Sequence, residues 1–283
     1  MISSKTKIGL LVAGHVVAGL LLGSIVYLKV DTGADLRPLM IALDALVFAE
    51  AGLLGIWVAL GTARPLRWVP VVLAITAYLG AVLVTAYHSW QTDTIAKHLL
   101  LEIALPTFSL LFILSVMRHG QRRLRLTHSA VWSTTCAGLQ FSIRHVLLAT
   151  AVVAVVLGMG RGISTFADMV GKGAFLAEAR LELFVATLSP CLIVVDLATL
   201  WAALGTGRPP PRLAVVLPMA FVVGTIPIYY LGNEDSSSFV VWSVIFGLQA
   251  IITAASLLVV RSCGWRLVSG GGTTNGQPIQ IGR

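Results

Sequence analysis

Five carboxylic acids interrupt stretches of sequence that are otherwise apolar, and they are the residues best suited to chemistry. Glu50 and Asp196 are the deepest in their stretches, whereas Asp44, Glu102 and Glu182 lie nearer the ends. A carboxylate in apolar surroundings needs water, a cation or a hydrogen-bonding partner, and such residues usually face protein or a water-filled pathway. The depths of Glu50 and Asp196 therefore favour a central polar site that couples to protons or cations.

The same acids also have a purely structural interpretation. A neutral carboxylic acid can hydrogen-bond across a helix interface and fix the packing of the two helices. We predict an intramembrane polar site that contains Glu50, Asp196, Asp44 and Glu102. Because Glu50 is the deepest acid and has small neighbours that let another helix approach, we expect it to be the residue most sensitive to substitution.

Histidines near these acids raise the question of a metal site. His98 and Glu102 are four residues apart, which places them on one face of a helix, and His88 precedes them. Imidazole and carboxylate groups bind divalent metals, but the HExxH pattern is absent. An interfacial hydrogen-bonded pair is the favoured interpretation, with His88, His98 and Glu102 as the candidate ligands if a metal binds. His15 is interpreted as a packing histidine.

No enzyme is predicted, because no nucleophile with an adjacent base can be assembled from the chain. No cofactor is predicted either. The three cysteines form no CxxC pair and indicate neither a disulfide framework nor a zinc site.

The elements that must position the acids are membrane-spanning helices. Hydrophobic residues make up 57% of the chain and charged residues 11%, and the mean hydropathy is +0.90. A soluble domain has about 25% charged residues. Apolar runs close to 20 residues recur, which is about the length of a helix that crosses a bilayer. The predicted fold is all-α with about eight transmembrane helices, at 8–28, 38–60, 69–88, 98–117, 139–160, 182–204, 213–231 and 239–260.

The distribution of charge between the loops predicts the orientation. If the N-terminus is cytoplasmic, 14 of the 20 basic residues and none of the 12 acidic residues fall in cytoplasmic segments. Both termini should therefore be cytoplasmic, with the protein in a bacterial inner membrane. The net charge of +8 needs no nucleic-acid partner. Basic residues on the cytoplasmic side are expected to contact anionic lipid headgroups, and the densest group is Arg118, Arg122, Arg123 and Arg125.

Two corners of the sequence indicate an internal duplication. WVALGTARP at 57–65 and WAALGTGRP at 201–209 agree at seven of nine positions, with an offset of 144. Since each half has four predicted spans, both halves enter the membrane from the same side, which defines a parallel repeat. The predicted organisation is a four-helix repeat at 1–117, a basic cytoplasmic connection at 118–138, a second repeat at 139–260 and a cytoplasmic tail at 261–283.

The segment LQFSIRHVLLATAVVAVVLGMGR at 139–161, together with the two corners, resembles uncharacterised bacterial multi-pass membrane proteins that carry FS-x-R-x-LLL and IW-x-ALG segments. The chain departs from the first pattern at Val146, where leucine is expected. The resemblance implies a multi-pass membrane fold and no activity, cofactor or catalytic residue.

Two functions remain open at this point. The acids inside the membrane, the prolines within the spans and the duplication favour a transporter or channel for a small solute or ion. The short loops and the lack of a recognisable motif are equally typical of a non-transporting scaffold or accessory subunit. A water-accessible cavity that reaches Glu50 would favour transport, and a dry, packed interface there would favour the scaffold.

Overall fold

A computed structural model of the protein describes residues 4–29, 37–61, 69–86, 93–120, 125–128, 173–205, 208–231 and 236–268. This part of the chain is helical apart from one short pair of strands. The helices are α1 (Ser4–Lys29), α2 (Arg37–Gly61), α3 (Val69–Ala86), α4 (Asp93–Gly120), α5 (Gly173–Leu204), α6 (Pro209–Val223), α7 (Ile226–Leu231) and α8 (Ser236–Ser262). The strands are β1 (Arg125–His128) and β2 (Trp265–Val268).

Five helical stretches of the described residues are long and apolar enough to cross a membrane. They are Thr6–Val26, Arg37–Leu60, Ala186–Leu204, Pro209–Ile228 and Ser237–Ser262. Helix α4 adds a shorter apolar stretch at Glu102–Met117. A helix satisfies its own backbone hydrogen bonds, which is the condition for crossing hydrocarbon. The protein therefore has the helical character of a membrane-spanning protein.

Helices occupy seven of the eight predicted positions within the described part of the chain, and the fifth predicted span at 139–160 lies outside the described residues. Helices α6 and α7 together fill the seventh position. Helix α4 begins at Asp93 and α5 at Gly173, earlier than the predicted starts at 98 and 182. A hydropathy pattern detects only the apolar part of a helix, which lies in the hydrocarbon layer. It therefore misses the more polar first turns of these two helices.

The two strands were not predicted from the sequence. They pair antiparallel, with Arg125 opposite Val268 and His128 opposite Trp265. The pair joins the segment that follows α4 to the segment that follows α8. These two segments, which the sequence assigns to the connection at 118–138 and the tail at 261–283, therefore leave the bundle at the same end.

Contacts between helix ends place α2, α5 and α8 in the same direction. Arg261 at the end of α8 donates hydrogen bonds from Nη1 to the carbonyl oxygens of Ala203 and Gly205, at 2.7 and 2.8 Å. Its guanidinium satisfies carbonyls that the end of α5 leaves unpaired. The indole rings of Trp57 and Trp265 pack edge to face, with their centroids 6.1 Å apart. The end of α2, which carries Trp57, therefore lies beside the ends of α5 and α8. Both Trp-led corners thus lie at one end of the bundle.

Helices α2, α5 and α8 form the centre of the structure, and α1 lies at its periphery. In the most apolar window of α5, 72% of residues are buried, compared with 6% in α1. Phe246, Leu188 and Ile228 are core residues between α5, α7 and α8, whereas Leu204, Ile56 and Leu114 pack the end that carries the two corners. Most of the α1 surface is left to face lipid.

The break between α6 and α7 is set by a close approach to α8. The backbone N–H of Gly224 bonds to Ala220 at 3.0 Å, and that of Thr225 bonds to Val222 at 3.1 Å, which closes a turn. A Cβ atom on Gly224 would lie 2.7 Å from the carbonyl oxygen of Trp242. Only glycine lets the two backbones come this close.

We predict that Gly224→Ala destabilises the protein by about 1–3 kcal/mol, because the added methyl group forces α6 and α8 apart. Thermal unfolding of the purified protein in detergent measures the effect. Gly14→Ala is the matched control, since no atom lies within 4 Å of a Cβ at that position. Equal stability of the two variants would contradict the packing described for α6 and α8.

Candidate functional site

A cavity of about 440 Å³ lies between α1, α2, α3 and α8, beside the end of α5. Most of its lining is aliphatic or aromatic, and a few polar side chains converge on it. A volume of a few hundred Å³ with this composition is typical of a small-molecule site. The polar lining residues are His15, Glu50, Tyr78 and Ser256, and the apolar ones include Leu11, Leu53, Leu54, Trp57 and Leu257.

Glu50 projects from α2 toward α1. Its Oε1 atom lies 3.6 Å from Nδ1 of His15, and the two side chains are 16% and 17% exposed. Gly19, one turn beyond His15, adjoins the carboxylate: a Cβ there would lie 3.9 Å from Glu50 Oε1, an ordinary van der Waals distance. Tyr78 on α3 lines the same cavity. The deepest predicted acid thus reaches the cavity.

The hydrogen bonds of Ser256 determine where His15 carries its proton. Ser256 Oγ donates to the carbonyl oxygen of Ile252 at 2.8 Å, and His15 Nε2 lies 2.9 Å from the same Oγ atom. A hydroxyl group has one proton to donate, so a Ser256 that donates to Ile252 accepts from His15. This geometry favours the His15 tautomer that carries its proton on Nε2.

This protonation leaves two acceptors facing each other. In neutral His15, Nδ1 has only a lone pair, and it points to Glu50 Oε1, a buried oxygen with no hydrogen-bond partner among the described residues. One additional proton, on Nδ1 or on the carboxyl group, turns the contact into a favourable one. The donor group of a bound molecule would do the same. The contact between His15 and Glu50 therefore offers an acceptor to a donor group in the cavity.

Asp196 lies on the other side of α2. Its carboxyl group contacts Gly52, where a Cβ atom would lie 2.6 Å from Asp196 Cγ, and Gln249 Nε2 donates to Oδ1 at 3.0 Å. Asp196 is 3% exposed. Residues 50 and 52 point in nearly opposite directions from a helix, because each residue turns by about 100°. Glu50 and Asp196 therefore belong to separate polar centres.

The remaining predicted residues lie elsewhere. Asp44 on α2 and Glu102 on α4 are close enough for their charges to interact across the helix pair. Among the described residues, no three His, Cys, Asp or Glu side chains come together as metal ligands. The backbone of His98 lies in α4, and its side chain is outside the described part of the structure. His88 lies outside the described residues altogether.

Sequence reasoning missed two features of the site. His15 lines the cavity and contacts Glu50, whereas it was interpreted as a packing residue. On α8, Gln249, Thr253 and Ser256 are all buried, and their spacing of i, i+4 and i+7 puts them on one face. That spacing of polar residues within an apolar span is a signal that the sequence carries.

Comparisons with known proteins found no match to this chain. No protein-family model, no curated protein and no solved structure matches the chain. The described residues define a helical protein of membrane-spanning character with a partly open, mostly apolar cavity that a few polar side chains reach.

We predict that nitrogen NMR of histidine-labelled protein shows His15 as the tautomer with the proton on Nε2, because Ser256 can only accept there. His15→Asn assigns the signal. Ser256→Ala removes the acceptor and should shift that signal toward a mixture of tautomers, whereas Ser262→Ala, at an exposed serine on the same helix, should leave it unchanged. A His15 signal from the Nδ1-protonated form in the unaltered protein would contradict the assignment.

Proposed function

We propose that this chain is a membrane transport protein for a small solute. The observation that carries the proposal is the cavity that reaches Glu50. A scaffold helix bundle gains nothing from an open space next to a half-buried acid, since unfilled space and a carboxylate oxygen without a hydrogen bond, as at Glu50 Oε1, both destabilise it. A binding site for a transported molecule requires both features.

The lining of the cavity favours an organic solute with a large apolar part. Leu11, Leu53, Leu54 and Trp57 offer no ligand to a bare inorganic ion, which would lose its hydration shell without replacement. An apolar group would gain from the same lining through the hydrophobic effect. A polar or cationic group on the solute would meet His15 and Glu50 at the polar wall.

We also propose eight transmembrane helices in two parallel four-helix repeats. The contact of Gly52 with Asp196 supports the repeat, because these residues are 144 positions apart and so are equivalent. Equivalent residues touch each other when they lie on the axis that relates the repeats. The helix contacts agree with such an axis. In the proposed repeat, α2 is equivalent to α5 and α8 is equivalent to α4. Helix α2 packs against α8, and the equivalent pair, α5 and α4, also packs together.

The proposed orientation has both termini in the cytoplasm of a bacterial cell, with the protein in the inner membrane. The end of the bundle that carries the two corners, β1 and β2 then faces the cytoplasm. Helix α4 ends and β1 begins on that side. The basic residues Arg118, Arg122, Arg123 and Arg125 would then contact anionic lipid headgroups. The resemblance to multi-pass bacterial membrane proteins fits this location.

The test of transport is whether the cavity opens to both sides of the membrane. We expect Leu54→Cys, made after the native cysteines are replaced by alanine, to react with a membrane-impermeant thiol reagent in right-side-out and in inverted vesicles. Solute must enter the cavity from one side and leave it on the other. Reaction in only one type of vesicle, or in neither, would contradict transport and favour the scaffold function.

Phe112→Cys is the matched control for this labelling. The Phe112 side chain is 69% exposed on the surface of α4 that faces lipid, where a polar reagent is not dissolved. We expect no reaction of this variant in either vesicle type. Reaction of the Phe112→Cys variant would show that the reagent penetrates the bilayer, and the labelling of Leu54→Cys would then be repeated with a larger charged reagent.

A further inference from the structure

The cavity beside Glu50 is continuous with the outer surface of the bundle along part of its rim. Four of its lining side chains are also exposed on that surface, and they are Val12, Val16, Trp57 and Tyr78. Their exposed fractions range from 37% for Trp57 to 58% for Val12. Val12, Val16 and Trp57 belong to helical stretches that are long and apolar enough to cross a membrane. In a bilayer, this rim of the cavity would therefore face lipid.

The polar contact in the cavity consists of two hydrogen-bond acceptors. The distance of 3.6 Å between His15 Nδ1 and Glu50 Oε1 is too long for a hydrogen bond. The Oε1 atom is buried and has no partner among the described residues. Ser256 faces Nε2 of His15, and the tautomer that this contact favours leaves a lone pair on Nδ1. A ligand that donates to both atoms would supply the hydrogen bonds that this contact lacks.

The number of N–H or O–H groups on the ligand decides whether it can do so. A protonated primary amine has three diverging N–H groups and can donate to two neighbouring acceptors at once. A hydroxyl group can donate to only one of them, and a quaternary ammonium group to neither. The ammonium group also neutralises an ionised Glu50, and hydrogen bonds between charged partners are stronger than those between neutral ones. The two acceptors therefore favour a primary ammonium group over the other candidates.

The rest of the lining determines which molecule can carry the ammonium group. No lysine or arginine is present among the described residues that line the cavity. A phosphate or carboxylate group on the ligand would therefore lie near Glu50 without a cation to balance it, which is unfavourable in apolar surroundings. Leu53, Leu54 and Trp57 instead favour an apolar body. A long apolar body could extend past Val12 and Val16 into lipid.

We infer that the cavity binds an amphiphilic primary amine that carries no anionic group. The ammonium group donates to His15 Nδ1 and Glu50 Oε1, and the apolar body lies along Leu53, Leu54 and Trp57 toward the lipid-facing rim. This inference rests on the proposed transport function and names its substrate class. It adds the sign of the charge and the donor groups that the substrate must have.

Calorimetric titration of the full-length protein in phosphatidylcholine nanodiscs tests the inference. The probes are phenylbutylamine, phenylbutyltrimethylammonium and phenylbutanol, which share one apolar body, and titrations into empty nanodiscs correct for their partition into lipid. We expect the amine to bind about tenfold or more tightly than either analogue, because it alone donates to both acceptors. An amine that binds no more tightly than the trimethylammonium compound or the alcohol would overturn the inference.

Glu50→Gln tests whether the carboxylate holds the amine. The substitution keeps the shape and removes the charge, so we expect the affinity for phenylbutylamine to fall about tenfold or more and that for phenylbutanol to change little. Asp44→Asn is the matched control, since it removes another carboxylate from α2 at a position outside the cavity lining, and it should leave both affinities unchanged. Equal binding of the amine to Glu50→Gln and to the unaltered protein would overturn the inference. If Glu50→Gln does not fold, the three probes on the unaltered protein decide the question.

A lipid headgroup could supply the same ammonium chemistry, so phosphatidylethanolamine is tested as a competitor. We expect its addition to the nanodiscs to leave the binding of phenylbutylamine unchanged, because its phosphate group has no cation in the cavity. Competition would assign the site to a lipid and overturn the inference of a ligand without an anionic group. Failure of the proposed function is a different result, since it appears as one-sided labelling of Leu54→Cys whichever probe binds.

Discussion

The carboxyl group of Asp196 is buried against Gly52, and this contact sets the distance between α2 and α5. Any larger residue at position 52 would occupy the space of the carboxyl group. Within a membrane, a carboxyl group with no partner is strongly unfavourable, so the hydrogen bond from Gln249 is needed to keep Asp196 in place. That bond brings in α8. The three central helices, which also share the apolar core, are therefore joined at this point by one small residue, one acid and one amide.

The cavity follows from how differently α1 is packed. Helices α2, α5 and α8 use most of their surface against each other, whereas α1 leaves most of its surface to lipid. Helix α1 approaches the centre through His15 and Gly19, which contact or adjoin Glu50. Farther along α1, Val26 is fully buried in a cluster that includes Leu43, Leu79 and Ile103 of α2, α3 and α4. This packing fixes the second half of α1, and the cavity lies beside its first half.

The sequence predicted much of the fold, because hydrocarbon imposes a simple requirement on length and composition. The depths of Glu50 and Asp196 in the membrane stay predictions. The sequence grouped them in one site, because hydropathy gives the depth of a residue but not the direction of its side chain around the helix. The role of His15 depends on Ser256, 241 residues away, and so required the tertiary structure. The β1–β2 pair was missed because each strand has only four residues. The polar face of α8 was present in the sequence as a helical spacing and could have been found.

The space next to Glu50 is proposed to be a solvated binding site, and a high-resolution cryo-EM structure of the protein in lipid nanodiscs would show whether it is. We expect density for water or a bound solute in the cavity, including a position between His15 Nδ1 and Glu50 Oε1. Side chains of α1 packed directly onto Tyr78 and Trp57, with no space beside Glu50, would contradict this proposal.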